Sequence, residues 1–256
     1  MIHPQAIVDP KAHVDESVTI GPWSYIGPDV VLGKDTVVHS HAVIKGPSEF
    51  GEGNEIFQFA SVGEDCQDKK FAGEPTKLIV GDRNIFRECS TVHRGTVQDQ
   101  SETRIGNDNL FMNYVHVAHD CVVGNHNVFS NNASLAGHVT VGDHVIMAGF
   151  SGAHQFCRIG DLAMVAKGTL VGMDVASFTM VSGEPPRARG LNSRGLQRKG
   201  YDAEEIALLK QAYRVVFREN RPLQEAIDAV KGFDAHSELI ERFVASLEAS
   251  TRGIVR

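Results

Sequence analysis

The chain has 256 residues, 42% of them apolar, and a net charge of −7. This length allows one large domain or two smaller ones, and an acidic chain lacks the basic surface that general nucleic-acid binding requires. The sequence contains no charged leader followed by an apolar run and no apolar run long enough to span a bilayer. We therefore expect a cytoplasmic protein that does not insert into membranes.

The N-terminal part repeats with a period of six residues. Large apolar residues recur at every sixth position: Ile2, Val8, Val14, Ile20, Ile26, Leu32, Val38, Ile44, Phe50, Ile56 and Val62. Such a period fits neither a helix nor one strand, but it fits a short strand followed by a turn. The pattern predicts a parallel β-helix built from hexapeptide repeats.

Two polar segments interrupt the repeat, at about residues 63–79 and 93–104. The period returns between them and then runs unbroken from Ile105 to Val171. Insertions in a solenoid are loops on its flank, often on the functional side. We expect residues 1–185 to form the β-helix, with residues 18 apart stacked at ~4.8 Å.

Residues 186–256 are predicted to form a small α-helical domain. Asp202 and Glu205 have the spacing of a capping box, Pro222 can open a second helix, and a third runs through Leu239 and Leu247. The preceding segment, residues 187–199, is basic and contains no acidic residue. A cationic stretch in an acidic protein favours an anionic partner.

The coil length brings polar residues onto one outward strip: His119, Asp120, Gly137, His138, His154 and Gln155. A histidine can act as a general base near neutral pH, and a carboxylate beside it can fix its tautomer. A glycine lets a substrate oxygen approach a backbone N–H. These groups suit acyl transfer from a thioester to a hydroxyl, by direct attack and without a metal.

The repeats, the motifs HVAHD, LAGHVTVGD and GAHQFC, the loops QDKKFAGEPT and HRGT, and the tail STRGIVR resemble one family. It is the UDP-N-acetylglucosamine O-acyltransferases of lipid A synthesis, within the hexapeptide-repeat acyltransferase superfamily. The resemblance spans essentially the whole chain and implies an all-β left-handed parallel β-helix followed by the helical domain. It also implies a homotrimer with sites in the clefts between subunits.

The implied reaction moves an (R)-3-hydroxyacyl group from acyl carrier protein to the 3-hydroxyl of UDP-N-acetylglucosamine, the first step of lipid A biosynthesis. The donor is carried on the phosphopantetheine of the carrier protein, so no separate cofactor is expected. By resemblance, His119 is the base, Asp120 orients it, and the Gly137 amide binds the oxyanion.

The resemblance assigns substrate contacts as well. Asp68 and Lys70 would contact the acceptor sugar and the acyl hydroxyl from across the cleft. The cleft would be lined by His93, His116, His138, His154 and Gln155. The nucleotide would be held by Asn192, Arg198 and Lys199. Lys199 stands where an arginine often occurs in this family, which weakens bidentate phosphate binding but keeps the charge.

Lys167 stands where small or apolar residues are usual in the family. It points outward on a different face from His119, and the axial distance between them matches roughly ten carbons of an extended acyl chain. We expect Lys167 to measure the acyl chain and to favour donors of about ten to twelve carbons.

Two alternatives stay open. The N-acyltransferase of the same pathway shares the β-helix and the carrier-bound donor. It usually has an extra N-terminal domain before its repeats, whereas the repeats of this sequence begin at Ile2. A γ-type carbonic anhydrase is a trimeric β-helix with three zinc-binding histidines, for which His93, His116 and His119 are the candidates.

Overall fold

A computed structural model describes residues 1–233 and 237–256. The backbone winds as short strands separated by turns. In chain order the strands are β1 (Ile7–Val8), β2 (His13–Val14), β3 (Thr19–Ile20), β4 (Tyr25–Ile26), β5 (Val30–Leu32), β6 (Val37–Val38), β7 (Val43–Ile44), β8 (Ser48–Phe50), β9 (Glu55–Ile56), β10 (Ser61–Glu64), β11 (Lys77–Val80), β12 (Ile85–Phe86), β13 (Thr91–His93), β14 (Glu102–Ile105), β15 (Leu110–Phe111), β16 (His116–Val117), β17 (Val122–Val123), β18 (Val128–Phe129), β19 (Ser134–Leu135), β20 (Thr140–Val141), β21 (Ile146–Met147), β22 (Gly152–Ala153), β23 (Arg158–Ile159), β24 (Met164–Val165), β25 (Leu170–Val171), β26 (Thr179–Ser182) and β27 (Arg187–Leu191).

From β1 to β25 every third strand belongs to the same sheet, which makes a three-sided parallel prism. The first sheet runs from β1 to β25, the second from β2 to β23, and the third from β3 to β26 with β27 added at its end. His116 pairs with Ser134, and Ser134 pairs with Gly152, so the 18-residue coil predicted from the sequence is confirmed.

The predicted apolar positions point into the prism and are buried from Ile20 to Val171. Phe86, Phe111 and Phe129 stack along the axis, with ring centroids 4.9 Å apart in each step. Cys121 and Cys157 are buried in the same core, each two residues before an apolar position of the repeat.

Both interruptions of the repeat occur at the corner between the first and second sheets. The loops are shorter than the predicted 63–79 and 93–104, because strands cover their ends and leave residues 65–76 and 94–101 outside. Leu78 is fully buried and pairs with Ser48, so the repeat resumes before Val80. Thr103 is likewise buried beside Ile105.

The C-terminal part covers the end of the prism. Strand β27 pairs antiparallel with β26. Among the described residues, four helices follow: α1 (Ser193–Arg198), α2 (Ala203–Arg218), α3 (Leu223–Lys231) and α4 (Glu238–Glu248). The capping box of Asp202 and Glu205 is confirmed at the start of α2. Neither β27 nor α1 was predicted.

One hydrophobic cluster fills the prism, and a second joins the helices to Leu162, Ala176 and Phe178 at the end of the prism. The division at residue 185 stays a prediction. No helix in residues 1–233 or 237–256 is both long and apolar enough to cross a membrane.

Candidate active site

The corner between the first and second sheets gathers the predicted strip. His119 and Asp120 occupy the turn between β16 and β17, and Gly137 and His138 occupy the same turn one coil later. Asp120 and His138 adopt left-handed backbone conformations, with φ of 57° and 63°. Such φ values are costly for a non-glycine residue, so the neighbouring coils hold these turns in place.

His119 and Asp120 form a buried hydrogen-bonded pair. His119 Nδ1 lies 2.8 Å from Asp120 Oδ2, and the side chains are 9% and 0% exposed. This contact assigns the proton to Nδ1 and leaves Nε2 as the free ring nitrogen, because an ionised carboxylate only accepts hydrogen bonds.

Asp120 is fixed by the second loop. The Thr96 amide donates to Oδ1 at 2.9 Å and the Thr96 hydroxyl donates to Oδ2 at 2.6 Å. Burial raises the pKa of Asp120, but the hydrogen bonds from His119 and Thr96 outweigh it and hold the pKa below its usual value. Asp120 therefore stays ionised at neutral pH.

Gly137 packs directly against the His119 ring. A Cβ built on Gly137 would lie 2.6 Å from His119 Cε1 and 2.7 Å from Nε2, so any side chain would displace the ring. Within the described residues, no backbone carbonyl accepts from the Gly137 N–H, so this donor has no backbone partner.

His138 connects the pair to the second loop. Its ring stands edge-on to His119 with centroids 4.9 Å apart, and its Nδ1 lies 2.7 Å from Asp99 Oδ2. Thr96 and Asp99 were not predicted as site residues. The only indication of them in the sequence was that they belong to the second interruption of the repeat, the loop with the motif HRGT.

Two cavities meet at His119. One has a volume of about 740 Å³ and follows the outer face of the first sheet along Ala136, Ala153 and Leu170. The other, about 640 Å³, is polar and is lined by both loops. The predicted residues on their walls are Asp68, Lys70, His116, His119, Gly137, His138, His154 and Gln155.

His93 lies beneath the first cavity, packed edge-to-face on His116 with centroids 5.1 Å apart. Its side chain is buried, and burial with the neighbouring His116 lowers the pKa of His93 to about 4. Burial also lowers the pKa of His116, which accepts or donates a hydrogen bond with the Thr91 hydroxyl at 2.8 Å.

The remaining predicted residues lie elsewhere in this chain. Asn192 is buried and caps α1, where its side chain accepts from the Gly195 amide. Arg198 and Lys199 are exposed at the end of α1, and Lys199 lies near His144 on the corner between the second and third sheets. Lys167 is exposed in the turn between β24 and β25 and lines neither cavity.

The metal-type grouping among the described residues is His119, Asp120 and His138, with ligand atoms within 4.8 Å of one another. His93 and His116 are not part of it, so the three histidines proposed for a carbonic-anhydrase zinc site do not converge within one chain.

Comparison with known proteins gives consistent matches. The family model described as UDP-N-acetylglucosamine O-acyltransferase, domain 2, matches residues 174–255, and the bacterial transferase hexapeptide model matches residues 11–46 and 102–137. The acyl-[acyl-carrier-protein]–UDP-N-acetylglucosamine O-acyltransferase of Saccharophagus degradans is 51% identical over 100% of this chain and 99% of its own. The protein of that name from Stutzerimonas stutzeri is 48% identical over 83% of this chain and 82% of its own.

A solved structure gives the same result. The UDP-N-acetylglucosamine O-acyltransferase from Moraxella catarrhalis has a TM-score of 0.97 and 47% identity, covering 100% of this chain and 99% of the other. This likeness confirms the predicted fold class, a left-handed parallel β-helix followed by C-terminal helices.

Proposed function

The chain belongs to the family of acyl-[acyl-carrier-protein]–UDP-N-acetylglucosamine O-acyltransferases, and from that premise we propose how its residues perform the reaction. The enzyme transfers an (R)-3-hydroxyacyl group from acyl carrier protein to the 3-hydroxyl of UDP-N-acetylglucosamine, the first step of lipid A biosynthesis. Its substrates are therefore the two named in its relatives, the acylated carrier and the nucleotide sugar.

His119 acts as the general base. Its free Nε2 takes the proton of the sugar 3-hydroxyl while that oxygen attacks the thioester carbonyl carbon. Asp120 keeps the Nδ1 proton in place and stabilises the imidazolium that forms. The tetrahedral intermediate then expels the phosphopantetheine thiolate, which takes the proton back from Nε2.

The Gly137 N–H donates to the developing oxyanion. This role needs a free donor beside the attacking oxygen, and Gly137 directly abuts His119 Nε2. A backbone donor aimed at an oxyanion in a site of low dielectric stabilises the transition state more than it would in water. The mechanism uses neither a metal nor a cofactor beyond the carrier's phosphopantetheine.

The observation that carries the proposal is the meeting of two unlike cavities at one histidine. The apolar cavity along the first sheet suits the acyl chain, and the polar cavity with Asp68 and Lys70 suits the acceptor sugar. His119 lines both, so the two reacting groups would meet at its ring.

The nucleotide part of the site would be completed by a second copy of the chain. Asn192, Arg198 and Lys199 line neither cavity of their own chain. In the proposed homotrimer, α1 of one subunit would face the cleft of the next and offer its cations to the phosphates. The cytoplasmic location remains a prediction from sequence.

The test is a turnover assay with UDP-N-acetylglucosamine and a series of 3-hydroxyacyl carrier proteins. We expect an acyl product that is cleaved by mild base, as an ester is and an amide is not. An amide product on an amino-sugar acceptor, with no ester on UDP-N-acetylglucosamine, would instead favour the N-acyltransferase.

A further inference from the structure

We propose that His119, Asp120, His138 and Asp99 form a binding site for a late first-row divalent cation such as Zn²⁺, and that this cation inhibits the enzyme. The inhibition rests on the proposed role of His119 as the base, whereas the binding does not. The cation would have no part in turnover itself.

Three ligand atoms converge at the corner of the prism, and a fourth lies against one of them. Asp120 Oδ2 lies 2.8 Å from His119 Nδ1 and 3.9 Å from His138 Nδ1. Asp99 Oδ2 lies 2.7 Å from the same His138 nitrogen. The ligand atoms of His119, Asp120 and His138 thus lie within 4.8 Å of one another, and Asp99 joins them through its contact with His138.

The spacing fits a tetrahedral cation. Bonds of about 2.0 Å to nitrogen and oxygen place neighbouring ligand atoms of a tetrahedron about 3.3 Å apart. The contacts of 2.8 and 3.9 Å at Asp120 Oδ2 bracket that value, so small movements of the two rings would complete the geometry. Imidazole with carboxylate suits Zn²⁺, Cu²⁺, Ni²⁺ and Co²⁺ but not Mg²⁺ or Ca²⁺.

The site has a rigid side and an open side. Thr96 anchors the buried Asp120, while the His138 and Asp99 side chains are 14% and 38% exposed. Asp99 and His138 line the polar cavity, which gives the cation its way in. Lys70 and Arg158 line it too, so direct coordination must hold the cation there.

Inhibition follows from the tautomer. Coordination needs the lone pair of His119 Nδ1, so a neutral ring must carry its proton on Nε2. A base acting through Nε2 needs the opposite arrangement, with the proton on Nδ1. The bound cation would therefore hold His119 in the form that cannot accept the sugar proton.

Binding is tested first without substrates, by titrating the protein with Co²⁺ and recording its visible d–d absorption. The wild type should give a saturable spectrum without a thiolate charge-transfer band, and Zn²⁺ should displace it. Asp99→Asn should weaken binding, and Asp108→Asn should not. Asp108 is the matched control because it lies 3.9 Å from His126 Nδ1, on a different corner.

Inhibition is tested by the Zn²⁺ concentration that halves each variant's own metal-free rate. Loss of a group that merely orients a ligand lowers metal affinity roughly 10- to 100-fold, so Asp99→Asn should raise this concentration at least about tenfold. His138→Gln should act in the same direction. No Co²⁺ spectrum, a thiolate band, or equal inhibition of the wild type and Asp99→Asn would overturn the proposal. Binding without inhibition would instead contradict the role of His119.

Discussion

His116 lies on the wall of the first cavity and His93 packs against it, and both rings are neutral at neutral pH. Burial lowers the pKa of both, and the pKa of His93 falls to about 4. The charge of Glu64 raises the pKa of His93, whereas His119 and Arg94 lower it further. A ring that resists protonation in the folded state takes up its proton mainly in the unfolded chain.

This difference predicts a pH-dependent stability. Between pH 6.5 and about 4 the unfolded chain binds the His93 proton and the folded chain does not, so acidification through this window favours unfolding. The expected loss from His93 is about 3 kcal/mol. The check is to measure the free energy of unfolding of the wild type and of His93→Gln by denaturant titration at several pH values. The variant should lose less stability on acidification, and parallel curves would contradict it.

At the element scale, the stacked phenylalanines are the interior of three successive coils. Phe111 is fully buried between Phe86 and Phe129. Phe111→Ala removes the middle ring and leaves a cavity, so the free energy of unfolding should fall by about 3–5 kcal/mol. Ile7→Ala, at a residue 63% exposed on β1, should change the free energy of unfolding by less than about 0.5 kcal/mol. Equal losses in urea unfolding would show that the stack is not a stabilising core.

The sequence predicted the elements that repeat or carry local signals. The six-residue period placed the coils, and the capping box placed the start of α2. Strand β27 was missed because it folds back antiparallel on β26, outside the six-residue period, and its arginines resemble a solvated basic segment. Helix α1 has only 6 residues, too few for a periodic signal.

The residues of the site likewise fall into those that the repeat predicted and those that it did not. His119, Gly137 and Gln155 could be placed on one strip because coil spacing is fixed by the repeat. Thr96 and Asp99 could not, because they reach the site from a loop outside the period.

At the scale of the whole molecule, the two cations predicted to hold the nucleotide phosphates, Arg198 and Lys199, line neither cavity of their own chain. We expect Lys199→Ala to weaken UDP-N-acetylglucosamine binding without unfolding the protein, since Lys199 is exposed. The basic segment 187–199 is predicted to attract an anionic partner, and attraction between exposed charges is weakened by salt. If that partner is the acylated carrier, its Michaelis constant should rise with ionic strength. Lys11→Ala, at an exposed lysine in an early coil, is the control. Unchanged nucleotide affinity in Lys199→Ala together with no salt dependence would contradict this assignment.

Chain-length selection also depends on the assembly. Lys167 lines neither cavity of its own chain, so it can limit the acyl chain only by bordering the cleft of a neighbour. Its stem would close the groove while its ammonium stays in water, because burial of that charge is costly. Lys167→Gly should move the preference from donors of about ten to twelve carbons toward longer ones. An unchanged donor profile would exclude Lys167 as the ruler.

The central claim is that His119, oriented by Asp120, removes the proton of the sugar hydroxyl. The most direct measurement is the turnover number of His119→Ala beside Asp120→Asn and the wild type, with folding and oligomeric state checked for each. The turnover number of His119→Ala should fall by about 10²- to 10⁴-fold, because a positioned general base contributes that much to the rate. Asp120→Asn should lose less, because it disturbs orientation and keeps the base. A folded His119→Ala protein with near-normal turnover would contradict the account.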